Sequence, residues 1–277
     1  MTRRDVVVIG ASAGGIQALI SLVGALPAHL PAALFVAVHI PPYSVSRLPE
    51  ILSRSGPLPA VHASHGDHIV PRQIYVAPPD RHLLLRDGHI ELGHGPRENF
   101  CRPAIDPLFR TAARVYGPRV VGIVLSGALY DGSLGLLAVK TRGGIAVVQN
   151  PTEAIVDSMP RSAIELVEVD HVLSVAGIAE LLTGMMGTEV PEEEEMLMSD
   201  ENDRTDAAVA HTFAEQETNQ RSLEPSVFPC PECGGVLWQT DGPLLRFQCH
   251  VGHAYAAELL LGHQAEQLEA ALWTSLR

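Results

Sequence analysis

Residues 10–15 read Gly-Ala-Ser-Ala-Gly-Gly, between a short apolar run and a stretch with helical spacing. A glycine-rich turn at such a junction serves one of two chemistries: a cradle for nucleotide phosphates, or a serine held out as a nucleophile. The dinucleotide fingerprint needs a middle glycine so that backbone can approach a pyrophosphate, and Ser12 occupies that place. No acid closes the second apolar run, where a ribose would be held; His39 stands there instead. The same residues fit Gly-x-Ser-x-Gly, in which flanking glycines permit a tight strand-to-helix bend and the helix N-terminus favours developing negative charge. A serine at this place can also be a plain helix cap, so its partners decide the matter. A hydroxyl needs a base within hydrogen-bond reach, and the base needs an orienting carboxylate. His39 ends the run ALFVAVHI, and Asp131 follows the run VVGIVLSG in the loop ALYDGS. Taken singly, the histidine reads as a half-buried polar residue and the aspartate as a turn former. Together with Ser12 they read as a catalytic triad.

A second group lies near the C-terminus. Cys230, Cys233, Cys249 and His253 form a C-x2-C-x15-C-x3-H array, the spacing of a zinc ribbon with four protein ligands. Four protein ligands leave no open position, which makes the zinc structural and leaves catalysis without a cofactor. His250 competes as fourth ligand, but its adjacency to Cys249 makes shared binding of one ion awkward, so His253 is preferred. Phe228, Trp238, Leu245 and Phe247 are expected to form the small core of this module. Cys101 stands alone upstream, so the four cysteines are no disulfide framework and fit a cytoplasmic protein.

The elements that must carry these residues follow from periodicity. From residue 5 to about 183, short β-branched runs alternate with helical stretches, the pattern of a parallel sheet flanked by helices. The expected fold is α/β: a doubly wound, mostly parallel sheet with an antiparallel hairpin addition at the Asp87-Gly88 turn, plus a small zinc-ribbon-like module. In such a sheet the carboxyl ends of all parallel strands share one edge, which brings Ser12, His39 and Asp131 together. The expected domains are residues 1–184, an acidic flexible linker at 185–222, and the module at 223–277. Residues 189–206 hold nine acids and one arginine, eight of the thirteen net negative charges. The remaining chain lacks the basic surface that nucleic-acid binding requires. No uncharged run is long enough to insert in a bilayer, and the apolar run before Gly10 is too short for a signal peptide.

With these residues in hand, the chain resembles the catalytic domain of the chemotaxis receptor methylesterases, the CheB family. The resemblance runs from residue 5 to about 183 through VIGASAGG, VHIPP, HGDHIVPRQIYVAPPDRHL, RPAIDPLF, LSGALYDGSLGL and GGIAVVQNPTEAIVDSMPRSAI. It implies a protein-glutamate methylesterase, with glutamine deamidation as a further activity, acting on the cytoplasmic helices of methylated chemoreceptors. Ser12 would be the nucleophile, His39 base and then acid, and Asp131 its orienting group. Backbone N–H groups would hold the oxyanion, Ala128 at the position the resemblance favours and Ala13 as the weaker candidate. Family members of the chemotaxis type usually carry a receiver domain, whereas here the catalytic region begins at residue 5, so regulation would come from a separate regulator or methyltransferase. Ala128 and Leu129 stand where methionine and glycine are usual, and Ala13 where threonine is frequent. That altered loop keeps two other readings open: a binding protein that has kept the fold without turnover, and an esterase acting on a different ester.

Overall fold

A computed structural model describes residues 2–190, 225–240 and 245–275. They fall into two units: residues 2–94 with 101–190, and residues 95–100 with 225–240 and 245–275.

The first unit begins with β1 (Thr2–Arg3), β2 (Val6–Ala11), α1 (Gly15–Ala25), β3 (Ala33–Val38), α2 (Leu48–Ser55), β4 (Ala60–His62) and β5 (Ile74–Val76). It continues through β6 (His82–Arg86), β7 (His89–Gly93), α3 (Ile105–Tyr116), β8 (Val120–Val124) and α4 (Ser133–Thr141). The last elements are β9 (Ile145–Gln149), α5 (Ser158–Leu166), β10 (His171–Leu173), α6 (Val175–Met185) and β11 (Glu189–Val190). Seven strands make one sheet in the order β10-β9-β8-β2-β3-β5-β4, all pairs parallel. Every residue of β2, β3 and β8 is buried, which is why these strands read as unbroken apolar runs rather than alternating ones. Val7 and Ile9 of β2 face a core shared with α1, α2 and α6, whereas Val6 and Val8 face a core shared with α3, α4 and α5.

Strand order reverses at β2. The chain first builds outward through β3 towards β4 and β5, then returns to lay β8, β9 and β10 on the other side. The crevice at the carboxyl ends of β2, β3 and β8 is therefore the topological switch point, where α/β sheets bind ligands.

Two expectations need correcting. The hairpin at Asp87-Gly88 forms, with Arg86 opposite His89 and Gly88 at φ +71°. It does not extend the parallel sheet, however; β6 and β7 make a separate two-stranded sheet. It is held to α3 instead, where Tyr116 Oη donates to the Arg86 carbonyl and accepts from Gly88 N–H. The first unit also runs past residue 184: Arg4 N–H bonds the Thr188 carbonyl, and β11 pairs antiparallel with β1. The remainder of the expected linker, residues 191–222, lies outside the described residues.

The second unit contains β12 (Pro225–Pro229), β13 (Val236–Thr240), β14 (Arg246–Cys249), β15 (Ala254–Ala256) and α7 (Ala257–Ser275). Its four strands pair antiparallel in sequence order. The core is Leu237, Phe247, Tyr255 and Leu260 with Cys230 and Cys249. Of the four residues expected there only Phe247 is buried; Phe228 and Leu245 are exposed and Trp238 is half-buried. On β13 alternation sends Leu237 inward and turns Trp238 to the other face. Residues 95–100 belong to this unit although the sequence reading gave them to the first. The buried Glu98 bridges to Ala254 and pairs with the half-buried Arg246, and Phe100 packs its ring on Tyr255.

Candidate active site

Ser12 follows directly on β2, and its N–H donates to the Ser126 carbonyl at 3.0 Å. Gly14 takes φ +75°, the left-handed conformation that ends the turn, and a Cβ there would lie 2.6 Å from Ile155 and 2.8 Å from Ser126 Oγ. A Cβ on Gly127 would sit 2.9 Å from the Cβ of Ser12 and 2.6 Å from the sulfur of Met159. The glycines thus let three backbone segments close around the serine. Ser126, which the sequence reading passed over, ties them together: its Oγ donates to the Ala13 carbonyl at 2.8 Å and accepts from Val156 N–H at 3.0 Å.

His39 comes off the end of β3, and its N–H bonds the Ala11 carbonyl at 3.3 Å. Its ring joins the other two residues: Nδ1 lies 3.1 Å from Ser12 Oγ, and Nε2 lies 2.6 Å from Asp131 Oδ2. The Asp131 carboxylate, 2% exposed, only accepts, so Nε2 carries the proton and Nδ1 is the atom that faces the serine hydroxyl. The same carboxylate accepts from Ile105 N–H at 2.7 Å and Asp106 N–H at 3.2 Å, the first two donors of α3.

Electrostatics follow this geometry. Burial alone would push the Asp131 carboxyl up, but the His39 hydrogen bond and charge and the two α3 N–H groups hold it below the usual carboxylate range. Burial disfavours the His39 cation too, yet Asp131, with Cys101 as second partner, raises its pKa from 6.5 to about 10. Cys101, set aside in the sequence as a lone cysteine, is therefore near enough to the His39 ring to add to that rise. No spacing rule points to it, since contact across 62 positions depends on the fold.

The two oxyanion candidates also fall at this edge. Gly127 N–H is taken by the Val156 carbonyl and Leu129 N–H by Ser158 Oγ at 3.1 Å. Between them, Ala128 N–H has no protein acceptor among the described residues, and neither has Ala13 N–H. Leu129 sits at φ +73°, the conformation suited to the glycine that the resemblance gives for this position.

In the second unit, Cys230, Cys233, Cys249 and His253 present ligand atoms all within 4.8 Å of one another. Cys233 Sγ lies 3.6 Å from Cys249 Sγ, and His253 Nδ1 lies 3.7 and 3.5 Å from the sulfurs of Cys230 and Cys249. Tetrahedral zinc with ordinary bond lengths places sulfurs about 3.8 Å apart and sulfur and nitrogen about 3.5 Å apart. The remaining His253 nitrogen, Nε2, faces Glu232 Oε2 at 3.3 Å, the outer carboxylate that usually orients a histidine ligand. Burial and the Cys230 charge push the Cys249 thiol up to about 12, while Tyr255 Oη and nearby N–H groups hold Cys230 low against its own burial. Such a set titrates apart by itself and fits a divalent cation. His250 is outside the cluster, its ring lying over Gly235.

A doubly wound parallel sheet with serine, histidine and aspartate hydrogen-bonded in line at its switch point defines an α/β protein with the constellation of a serine hydrolase. The chain belongs to the CheB methylesterase family, which matches residues 7–182. It is 42% identical over 178 residues to a Leptospira interrogans protein provisionally named protein-glutamate methylesterase/protein-glutamine glutaminase, spanning 64% of this chain and 92% of that one. It is 39% identical to protein-glutamate methylesterase/protein-glutamine glutaminase 2 of Anaeromyxobacter dehalogenans, over 65% of this chain but only 53% of that longer protein. Among solved structures, the Thermotoga maritima CheB methylesterase catalytic domain superposes with a TM-score of 0.64 at 31% identity, covering 67% of this chain and all of that one.

Proposed function

We propose that the chain is a protein-glutamate methylesterase and glutamine deamidase that works through an acyl-enzyme on Ser12. The observation that carries this reading is the unbroken line from Ser12 Oγ through His39 to Asp131 in a member of the CheB family. Deprotonated Nδ1 of His39 takes the Ser12 proton as Oγ attacks the γ-carbonyl carbon of a glutamate methyl ester. Asp131 keeps the other proton on Nε2 and stabilises the imidazolium that forms. Oxygen charge develops towards the N–H groups of Ala128 and Ala13 and the N-terminus of α1. His39 then returns the proton to the departing methoxide, and methanol leaves. Water, activated by the same nitrogen, attacks the acyl carbon and frees glutamate. With glutamine as substrate, ammonia leaves in place of methanol and the product is the same.

The partners in this reading are the cytoplasmic helices of methylated chemoreceptors, with a separate regulator or methyltransferase acting on the enzyme in the cytoplasm. No helix among the described residues is long and apolar enough to cross a membrane. The catalytic part ends near residue 190, an acidic linker follows, and a C-terminal ribbon holds zinc through Cys230, Cys233, Cys249 and His253. The zinc supplies cross-linking of the two turns, and catalysis uses no cofactor. The test is methanol release from a methylated chemoreceptor fragment by the wild type and by Ser12→Ala. Release lost in the variant supports the reading. Equal background release from both overturns it in favour of a binding role or another ester.

A further inference from the structure

Helices α3 and α4 start without caps of their own: Ala104 precedes α3, Gly132 precedes α4, and neither supplies a side-chain cap. Each is capped by an aspartate from the other. Asp131, one residue before the Gly132 cap position, accepts from Ile105 N–H and Asp106 N–H at the start of α3. Asp106, in the first turn of α3, accepts through Oδ1 from Gly132 N–H at 3.0 Å and Gly135 N–H at 2.7 Å. Both carboxylates are buried, at 1% and 2% exposed. Two buried carboxylates this near repel each other, and first-turn N–H groups, the positive ends of the helix dipoles and, for Asp131, the His39 ring offset that repulsion. The fit is close: a Cβ on Gly135 would stand 3.1 Å from Asp106 Cα and 2.5 Å from Phe109 Cβ.

The geometry has a chemical consequence. Asp131 must place Oδ2 2.6 Å from His39 Nε2 while sharing that oxygen with Ile105 N–H. Its backbone position follows that of the next residue, whose N–H is shared between Asp106 Oδ1 at 3.0 Å and Oδ1 of Asp131 itself at 3.1 Å. We propose that Asp106 is a positioning residue for the triad: by holding Gly132 and Gly135 it keeps the Asp131 carboxylate against His39. It touches no reacting atom. The proposal rests on reading Ser12, His39 and Asp131 as the catalytic set.

The experiment compares Asp106→Ala with Asp106→Asn, which keeps an acceptor oxygen at the same place. Two readouts are taken on the full chain: methanol release as kcat and KM across pH, and the proton resonance of His39 Nε2–H, assigned by its loss in His39→Gln. The expected result for Asp106→Ala is kcat lowered about 100-fold, the loss a displacement near 1 Å brings. KM stays within a few fold, and both the rate midpoint and the His39 titration move down towards 6.5. Asp106→Asn recovers most of the rate and leaves the midpoint in place, and this variant carries the test if the alanine chain does not fold. An unmoved midpoint in Asp106→Ala, with rate falling only as the folded fraction falls, overturns the proposal. So does equal damage in both variants, which would make charge rather than placement the cause. If wild type shows no Ser12-dependent release, the functional reading fails, and the His39 resonance still decides the role of Asp106.

Discussion

His39 uses its two nitrogens in the reverse of the chymotrypsin template: Nδ1 faces the nucleophile and Nε2 the carboxylate. Either nitrogen can act as base, since what matters is that the carboxylate fixes the tautomer. The same carboxylate raises the His39 pKa to about 10, and base catalysis needs the neutral ring. Methanol release at low substrate therefore rises with pH, with a midpoint above the ordinary 6.5, and Asp131→Asn shifts that midpoint down while slowing the reaction. A wild-type midpoint below 6.5 would contradict the ion pair. Stability runs the other way. A histidine whose folded pKa lies above its unfolded one stabilises the fold fully below 6.5 and loses that contribution as pH rises to about 10. Thermal melts should show this alkaline decline in the wild type and a shallower one in His39→Gln. Leu129 offers a test of a different kind. It is 49% exposed and held at φ +73°, which costs a residue with a Cβ about 1 kcal/mol or more. Leu129→Gly should raise stability by roughly 0.5–1 kcal/mol in denaturant titrations; a lower midpoint would mean that the side chain has packing worth more than the strain.

Glycines of the first unit separate those that position the site from those that only occupy a helix. Gly127 lets Ser12 and Met159 approach from two sides, so Gly127→Ala should cut methanol release about 100-fold by displacing the serine. Gly184, near the end of α6, has nothing within 4 Å of its would-be Cβ, so Gly184→Ala should add up to about 1 kcal/mol of stability and leave the rate alone. Equal effects of the two on the rate would show that the turn tolerates movement. The contrast is invisible in the sequence, where both are simply Gly. Strands β2, β3 and β8 were legible because a strand buried on both faces needs an apolar residue at every position. Ser12, His39 and Asp131 were legible because each follows such a run. Asp106, Ser126 and Cys101 were not, since their partners lie on other elements and no local period encodes which helix starts face each other. Pairing of β1 with β11 joins two residues at each end of a long stretch, too short to give any period.

For the molecule as a whole, the family match stops at residue 182, and the C-terminal unit lies beyond it. About 50 residues cannot bury enough apolar surface for an ample core, and the six buried side chains that cluster there include two of the cysteines. Part of the deficit is met by residues 95–100, whose Glu98 and Phe100 pair with Arg246 and Tyr255. The sequence could not show that contribution, because these residues stand 125 or more positions from the rest of the described unit. A further part would come from the metal, whose binding energy is folding energy when ligands converge only in the native state. The full chain purified without chelator should therefore carry one zinc per molecule by elemental analysis. Cobalt exchanged into it should give the visible bands of tetrahedral coordination with thiolate charge transfer. Cys249→Ser should abolish both signals, and His253→Ala should weaken metal retention, since Nδ1 would be the fourth ligand and Nε2 its tie to Glu232. His250→Ala should change neither, its ring lying over Gly235 outside the cluster. Metal retained in Cys249→Ser but lost in His250→Ala would reassign the ligands. A chain with no zinc and no cobalt spectrum would leave Cys230 and Cys249 as ordinary core residues beside an exposed Cys233.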